Sequence, residues 1–172
     1  MTHLYVDATT LIALGTVGEL EQLTAFETPI VVLPAIQAEV TTQPAATNLE
    51  AFVDDELVTT SPPITPDDDR AMDVLGEPTV NGDVRLIGAV LGHAGADDPV
   101  AVVSDDRRVR TVADGLGARV TGTVGVLVRA VEGGLSPEDA RRIVRTIDHN
   151  GLHMTAELRA KALELIDEAG SQ

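Results

Sequence analysis

The 172-residue chain contains no cysteine, no tryptophan, one tyrosine and two phenylalanines. Without cysteine there are no disulfides and no thiolate metal sites, so oxygen or imidazole ligands must hold any metal. With aromatics at 2%, the core has to be built from Val, Leu, Ile and Ala, and a hydrophobic fraction of 44% is enough to build one. Positive charge is scarce. Twelve Lys plus Arg face 28 Asp plus Glu, the formal net charge is −16, and Lys161 is the single lysine. No apolar run approaches the roughly 18 residues that a membrane span needs. The opening MTHLYVDATT lacks the basic region and apolar stretch of a signal peptide. The chain is therefore expected to be soluble and cytoplasmic, with no membrane partner. Glycine-rich phosphate loops are missing too, because GTVG at 15–18 and again at 122–125 fits neither the P-loop nor the dinucleotide spacing.

The acid excess fits a halophilic acidic surface, on which hydrated carboxylates keep the protein soluble and salt screens their repulsion. A second reading is an acidic face that recruits a basic partner. In both cases the net field repels nucleic acid at low ionic strength. A nucleic-acid enzyme with this surface would rely on metal ions and local arginines.

Short apolar runs alternate with helical patterns along the chain. LYVDA (4–8), IVVLP (30–34), LVTTS (57–61), PVAVVS (99–104) and ARVTG (118–122) read as strands. Helices are expected over 11–23 with a break near Gly15–Gly18, over PAIQAEVTT from Pro34, and within 44–56, 70–76, 83–94, 108–117, 123–134, 136–151 and 155–170. This order predicts a parallel α/β sheet covered on both faces. One domain is the simplest reading of the length, with 1–135 as its α/β body and 136–172 as a C-terminal helical extension packed on it. The apolar content of 123–134 and of the terminal helices makes a homodimer a candidate assembly.

In open α/β sheets the functional crevice lies beyond the carboxyl ends of the strands. Four acidic clusters are expected there. Asp7 ends the first strand, Glu39 follows the second by about one and a half helical turns, Asp83 opens a helix, and the pair Asp105–Asp106 follows PVAVVS. Singly, each has a plain structural explanation as a helix cap or a solvated polar residue. Together, they would repel one another unless a cation neutralises them. Hard Mg²⁺ or Mn²⁺ suits such oxygen ligands. His3, His93, His149 and His153 have no ligand spacing and read as structural or surface residues. Asp67–Asp68–Asp69 read as a helix start.

These residues resemble the PIN-domain superfamily, in its toxin-like (VapC-like) branch of prokaryotic ribonucleases. YVDATTLIAL is similar to the family's first motif, with Asp7 and the hydroxyl residue Thr9. VVLPAIQAEV is similar to the second, with Glu39, and NGDVRLIGAVLG to the third, with Asp83. The most specific stretch is VVSDDRRVRTVADGLGARVTGTVGVLVRAVEGGL, which carries D-D-R followed by V-T-G-T-x-G-x-L. The branch often places a second acid two residues after the first in the third motif, where this chain has Arg85. In the fourth motif the hydroxyl-x-Asp pattern from Ser104 favours Asp106, while D-D-R allows Asp105.

The resemblance implies a three-layer α/β/α fold with a parallel sheet of four to five strands. It also implies Mg²⁺- or Mn²⁺-dependent cleavage of RNA, restraint by a small cognate antitoxin, and frequent dimers. Asp7, Glu39, Asp83 and Asp105 or Asp106 would be the catalytic metal ligands. Thr9 and Ser104 would support them, and Arg85, Arg107 and Arg110 are phosphate-contact candidates. Arg85 also motivates an alternative, a catalytically degenerate PIN-like module that binds RNA or protein.

Overall fold

The computed structural model describes all residues, Met1–Gln172. Five strands form one sheet: β1 (His3–Val6), β2 (Ile30–Val31), β3 (Val58–Thr59), β4 (Val100–Val103) and β5 (Arg119–Thr121). Their spatial order is β3-β2-β1-β4-β5 and every pairing is parallel. Leu4 lies opposite Ile30 on one side and Ala101 on the other, which places β1 at the centre. Central strands covered on both faces need no polar alternation, and Leu4, Tyr5 and Val6 are all buried.

Nine helices connect and cover the strands. They are α1 (Ala8–Thr16), α2 (Pro34–Gln37), α3 (Ala45–Phe52), α4 (Asp68–Leu75), α5 (Gly82–Gly95), α6 (Arg107–Gly115), α7 (Thr123–Glu132), α8 (Pro137–His149) and α9 (Ala156–Gly170). One helical layer contains α2, α4, α5 and α6, in which α5 touches the other three. The opposite layer contains α1, α3, α7, α8 and α9. The fold is the three-layer α/β/α sandwich with C-terminal helices. Helices α8 and α9 pack on α7, and their Ile143, Ile147, Ala162 and Ile166 belong to the same apolar cluster as the sheet. The apolar face of α7 (Val126, Leu127 and Val131) is thereby buried within the chain.

Local chemistry sets most of the boundaries. The helix expected over 11–23 breaks at Gly18, whose φ is +73°, and resumes as a 3-10 segment over Leu20–Phe26. Asp67, Ser136 and Thr155 cap α4, α8 and α9 through their side chains. Two expectations need correction. The helix expected from Pro34 through 42 ends at Gln37, so Glu39 stands in the following turn rather than on a helix. Helix α5 opens one residue early at Gly82. Its cap is Asn81, whose Oδ1 accepts the Val84 N–H at 2.9 Å.

Candidate metal centre

All strands run the same way, so their carboxyl ends share one edge. Asp7 follows β1 there, and its backbone N–H still bonds to Val103 O of β4 at 2.9 Å. Its side chain caps α1 by accepting the Ala8 N–H at 2.7 Å. The residue is 3% exposed. Next door, Ser104 leaves β4 with its hydroxyl fully buried. Ser104 Oγ donates to Asp7 Oδ2 at 2.6 Å and accepts the Asp106 N–H at 3.1 Å. One serine therefore fixes the positions of two acids relative to each other. Thr9 is exposed, and its Oγ1 lies 3.5 Å from Asp7 Oδ2, at the outer limit of a hydrogen bond.

The pair Asp105–Asp106 divides its labour. Asp105 turns toward α7, where its Oδ1 accepts the Thr123 N–H at 2.8 Å and its Oδ2 the Thr123 hydroxyl. It caps a helix whose own N-cap residue, Gly122, has no side chain. A Cβ on Gly122 would stand 2.6 Å from Asp105 Oδ1, so glycine is what lets this carboxylate approach. Asp106 is exposed and caps α6 through the Arg108 and Val109 N–H groups.

Asp83 and Glu39 complete the edge. Since Asn81 caps α5, Asp83 is left half-buried in the first turn without a capping role. Glu39 reaches α5 from the turn after α2, and its Oε1 accepts the Gly82 N–H at 3.0 Å. A Cβ on Gly82 would lie 2.3 Å from Glu39 Oε1, so this contact also depends on a glycine.

The acids affect one another. Burial pushes the Asp83 carboxyl up to about 6, and the charges of Asp7, Asp106 and Glu39 add to the push, while Arg108 opposes it. Burial raises Asp7 as well; the Ser104 and Ala8 hydrogen bonds work against this, and the Asp106 charge adds to it. Asp7, Glu39, Asp83 and Asp106 therefore share one electrostatic basin, and Asp105 does not enter the set that acts on Asp83. The quartet is open, however. The one group of His, Asp and Glu residues whose donor atoms all lie within 4.8 Å of one another is elsewhere, at His3, His93 and Asp98.

The three candidate arginines part company. Arg85 pairs with Asp68 at 2.5 Å, on the flank between α5 and α4. Arg107 is exposed at the start of α6, and Arg110 lies beside Gly122, with its Nη1 3.1 Å from where a Cβ would stand. Arg108 is a fourth arginine at this end of the sheet. It binds Glu77 at 3.0 Å and the Leu75 carbonyl, and it is the cation that acts on Asp83. Nothing in its spacing separates it from its two arginine neighbours in RRVR.

The molecule is thus a three-layer α/β/α protein with a five-stranded parallel sheet and an acidic carboxyl edge joined by a buried Asp–Ser bond. The model of a PIN-domain family, DUF3368, matches residues 4–168, nearly the whole chain. The chain belongs to this PIN-domain family. No curated protein and no solved structure matches it. PIN domains are generally nucleases, typically bind RNA and use divalent metals.

Proposed function

We propose that this protein is an endoribonuclease that hydrolyses RNA phosphodiester bonds with Mg²⁺ or Mn²⁺, held by Asp7, Glu39, Asp83 and Asp106. The observation that carries this reading is the grouping of the acids at one sheet edge, where Ser104 ties the buried Asp7 to Asp106 and Glu39 bonds to the helix that bears Asp83. A carboxyl raised to about 6 by burial and by three other acids is a site in want of positive charge. Four carboxylates with no nitrogen or sulfur donor suit a hard cation. When bound, such a cation supplies Lewis acidity and an activated water.

The protein's own residues do the rest. Ser104 holds Asp7 and the Asp106 backbone in fixed relation. Arg108 braces the start of α6 against the α4–α5 connection and moderates the local negative charge. Arg107 and Arg110 are the phosphate-contact candidates, because Arg85 is engaged by Asp68. Thr9 faces solvent beside Asp7, where a ligand's polar atoms would meet it. The wider role that fits is the toxin of a toxin–antitoxin pair in the cytoplasm, restrained by a small partner protein and able to form a homodimer. Co-purification tests the partner, and sedimentation tests the dimer.

Cleavage of single-stranded RNA by purified protein in molar salt with Mn²⁺ tests the reading. Cleavage by the wild type that is lost in Asp7→Asn supports it. No cleavage by the wild type, or cleavage that Asp7→Asn leaves unchanged, refutes it. The open spacing of the quartet favours a second reading, a catalytically degenerate RNA- or protein-binding module. That module would show no Mn²⁺ binding by calorimetry.

A further inference from the structure

The opposite, amino-terminal edge of the sheet carries a second cluster that the nuclease reading leaves unused. His3 is the first residue of β1 and pairs with Val100 of β4. Asp98 stands two residues before Val100, in the turn that leads out of α5. His93 lies in the last turn of α5, ten residues beyond Asp83, which is about 15 Å along the helix. One donor atom from each of His3, His93 and Asp98 lies within 4.8 Å of the other two.

The hydrogen bonds around this cluster leave a gap. His93 is fully buried, with Nδ1 2.8 Å from Asp98 Oδ2 and Nε2 2.9 Å from the Tyr5 hydroxyl. The His3 ring is 5.6 Å from that of His93, and His3 Nδ1 is buried with no hydrogen-bond partner. A buried polar atom without a partner is rare and calls for an explanation. A neutral imidazole carries one ring proton. Without an ion it sits on His93 Nδ1, which donates to Asp98 Oδ2, while the Tyr5 hydroxyl donates to Nε2. An ion at Nδ1 would displace it, and the ring proton would then sit on Nε2 and be donated to the Tyr5 oxygen. A cation held by one donor atom from each of His93, Asp98 and His3 would answer three electron pairs at once. Tyr5 is then the outer partner that sets the tautomer of a metal-bound histidine.

We propose that His3, His93 and Asp98 form a binding site for a borderline-soft divalent ion of the Zn²⁺ class, separate from the carboxylate edge. Two imidazoles and one carboxylate are the donors that select such an ion over Mg²⁺. Asp98, with 35% of its side chain exposed, leaves a path for a water as fourth ligand. The ion would tie the start of β1 to the α5–β4 turn, as a clamp on the central strand rather than as part of the hydrolytic site.

Co²⁺ is the probe, titrated into the tag-free chain in molar KCl and followed by its visible absorption. The expected result is a nitrogen-ligated band that saturates at one equivalent, distinct from any Co²⁺ held by oxygen ligands at the carboxylate edge. His3→Gln should weaken it at least about 10-fold, while Asp7→Asn leaves it within about 2-fold. His3 sits at a partly exposed strand end, so its replacement spares the core, and an unchanged melting temperature without metal would confirm this. His93→Gln is the harsher second variant. A wild type that gives no nitrogen-ligated band, or a band that His3→Gln leaves intact, overturns the proposal. So does a band lost in Asp7→Asn alone, and none of these outcomes bears on RNA cleavage.

Discussion

Strand β1 is four residues long, and its two ends meet opposite chemistry. At its carboxyl end Asp7 joins an open group of acids, three of them tied to the backbone by a capping or cross-element bond: Asp7 to Ala8, Glu39 to Gly82, Asp106 to Arg108 and Val109. At its amino end His3 joins a tight group of two imidazoles and one carboxylate. The acidic end is wide and rich in oxygen, suited to a hydrated hard ion and a large anionic substrate. The histidine end is compact, with His93 fully buried and the Asp98 side chain 35% exposed. If both ends bind as proposed, spacing as well as ligand type would sort cations between them.

The comparison breaks most readily at neighbouring residues of the acidic end. Asp106→Asn should reduce Mn²⁺-dependent cleavage by more than the roughly 10–100-fold typical of groups that only hold a ligand in place. Asp105→Ala should instead leave Mn²⁺ affinity nearly unchanged and cost about 1 kcal/mol of stability, the usual loss for a helix cap. Titration calorimetry and thermal melting of the two variants check this. Equal loss of metal binding in both would show that the ligand assignment is wrong. Ser104→Ala should come next in size. It frees Asp7 Oδ2 and the Asp106 N–H together, and should lower Mn²⁺ affinity by about 10–100-fold with no change at the histidine end.

A smaller effect follows from Asp83. Its folded carboxyl titrates near 6 and its ordinary value is 3.8. Between about 4 and 6 the folded, metal-free protein therefore binds more protons at this group than the unfolded chain does. This contribution favours folding below about 4 and is lost as pH rises through about 6. Metal-free wild type should thus gain relative stability on acidification across that window, and Asp83→Asn should flatten the slope. Mn²⁺ affinity should fall below about pH 6 as protons compete. Melting curves at matched salt measure the first effect and calorimetry the second. A slope unchanged in Asp83→Asn would remove Asp83 from this electrostatic group.

The sequence carried the layer order well, because β-rich apolar runs, helix caps and Pro137 or Gly76 at helix ends are local signals. Acids adjoining apolar segments are local signals too, and the structure sets Asp7 just after β1 and Asp83 in the first turn of α5. What it could not carry was orientation. Asp105 and Asp106 are adjacent and both cap helices, and only the return of α7 past the end of β4 shows which carboxylate is engaged by Thr123. Glu39 looked helical because Pro34 starts a helix, yet the helix stops after one turn and the side chain crosses to Gly82. Asn81 competed with Asp83 for the cap and won it, an outcome that residue type alone leaves open. His3 and His93 are 90 positions apart, and only the pairing of β1 with β4 and the packing of α5 bring them together.

The central claim is that Asp7, Glu39, Asp83 and Asp106 act as one divalent-cation site. Its most direct test is Mn²⁺ binding followed by electron paramagnetic resonance in molar salt at pH 7, on the wild type, Asp7→Asn and Glu39→Gln. The account predicts a bound ion in the wild type and an affinity at least about 10-fold weaker in each variant. Binding of equal strength in all three, or no binding in any, would contradict it.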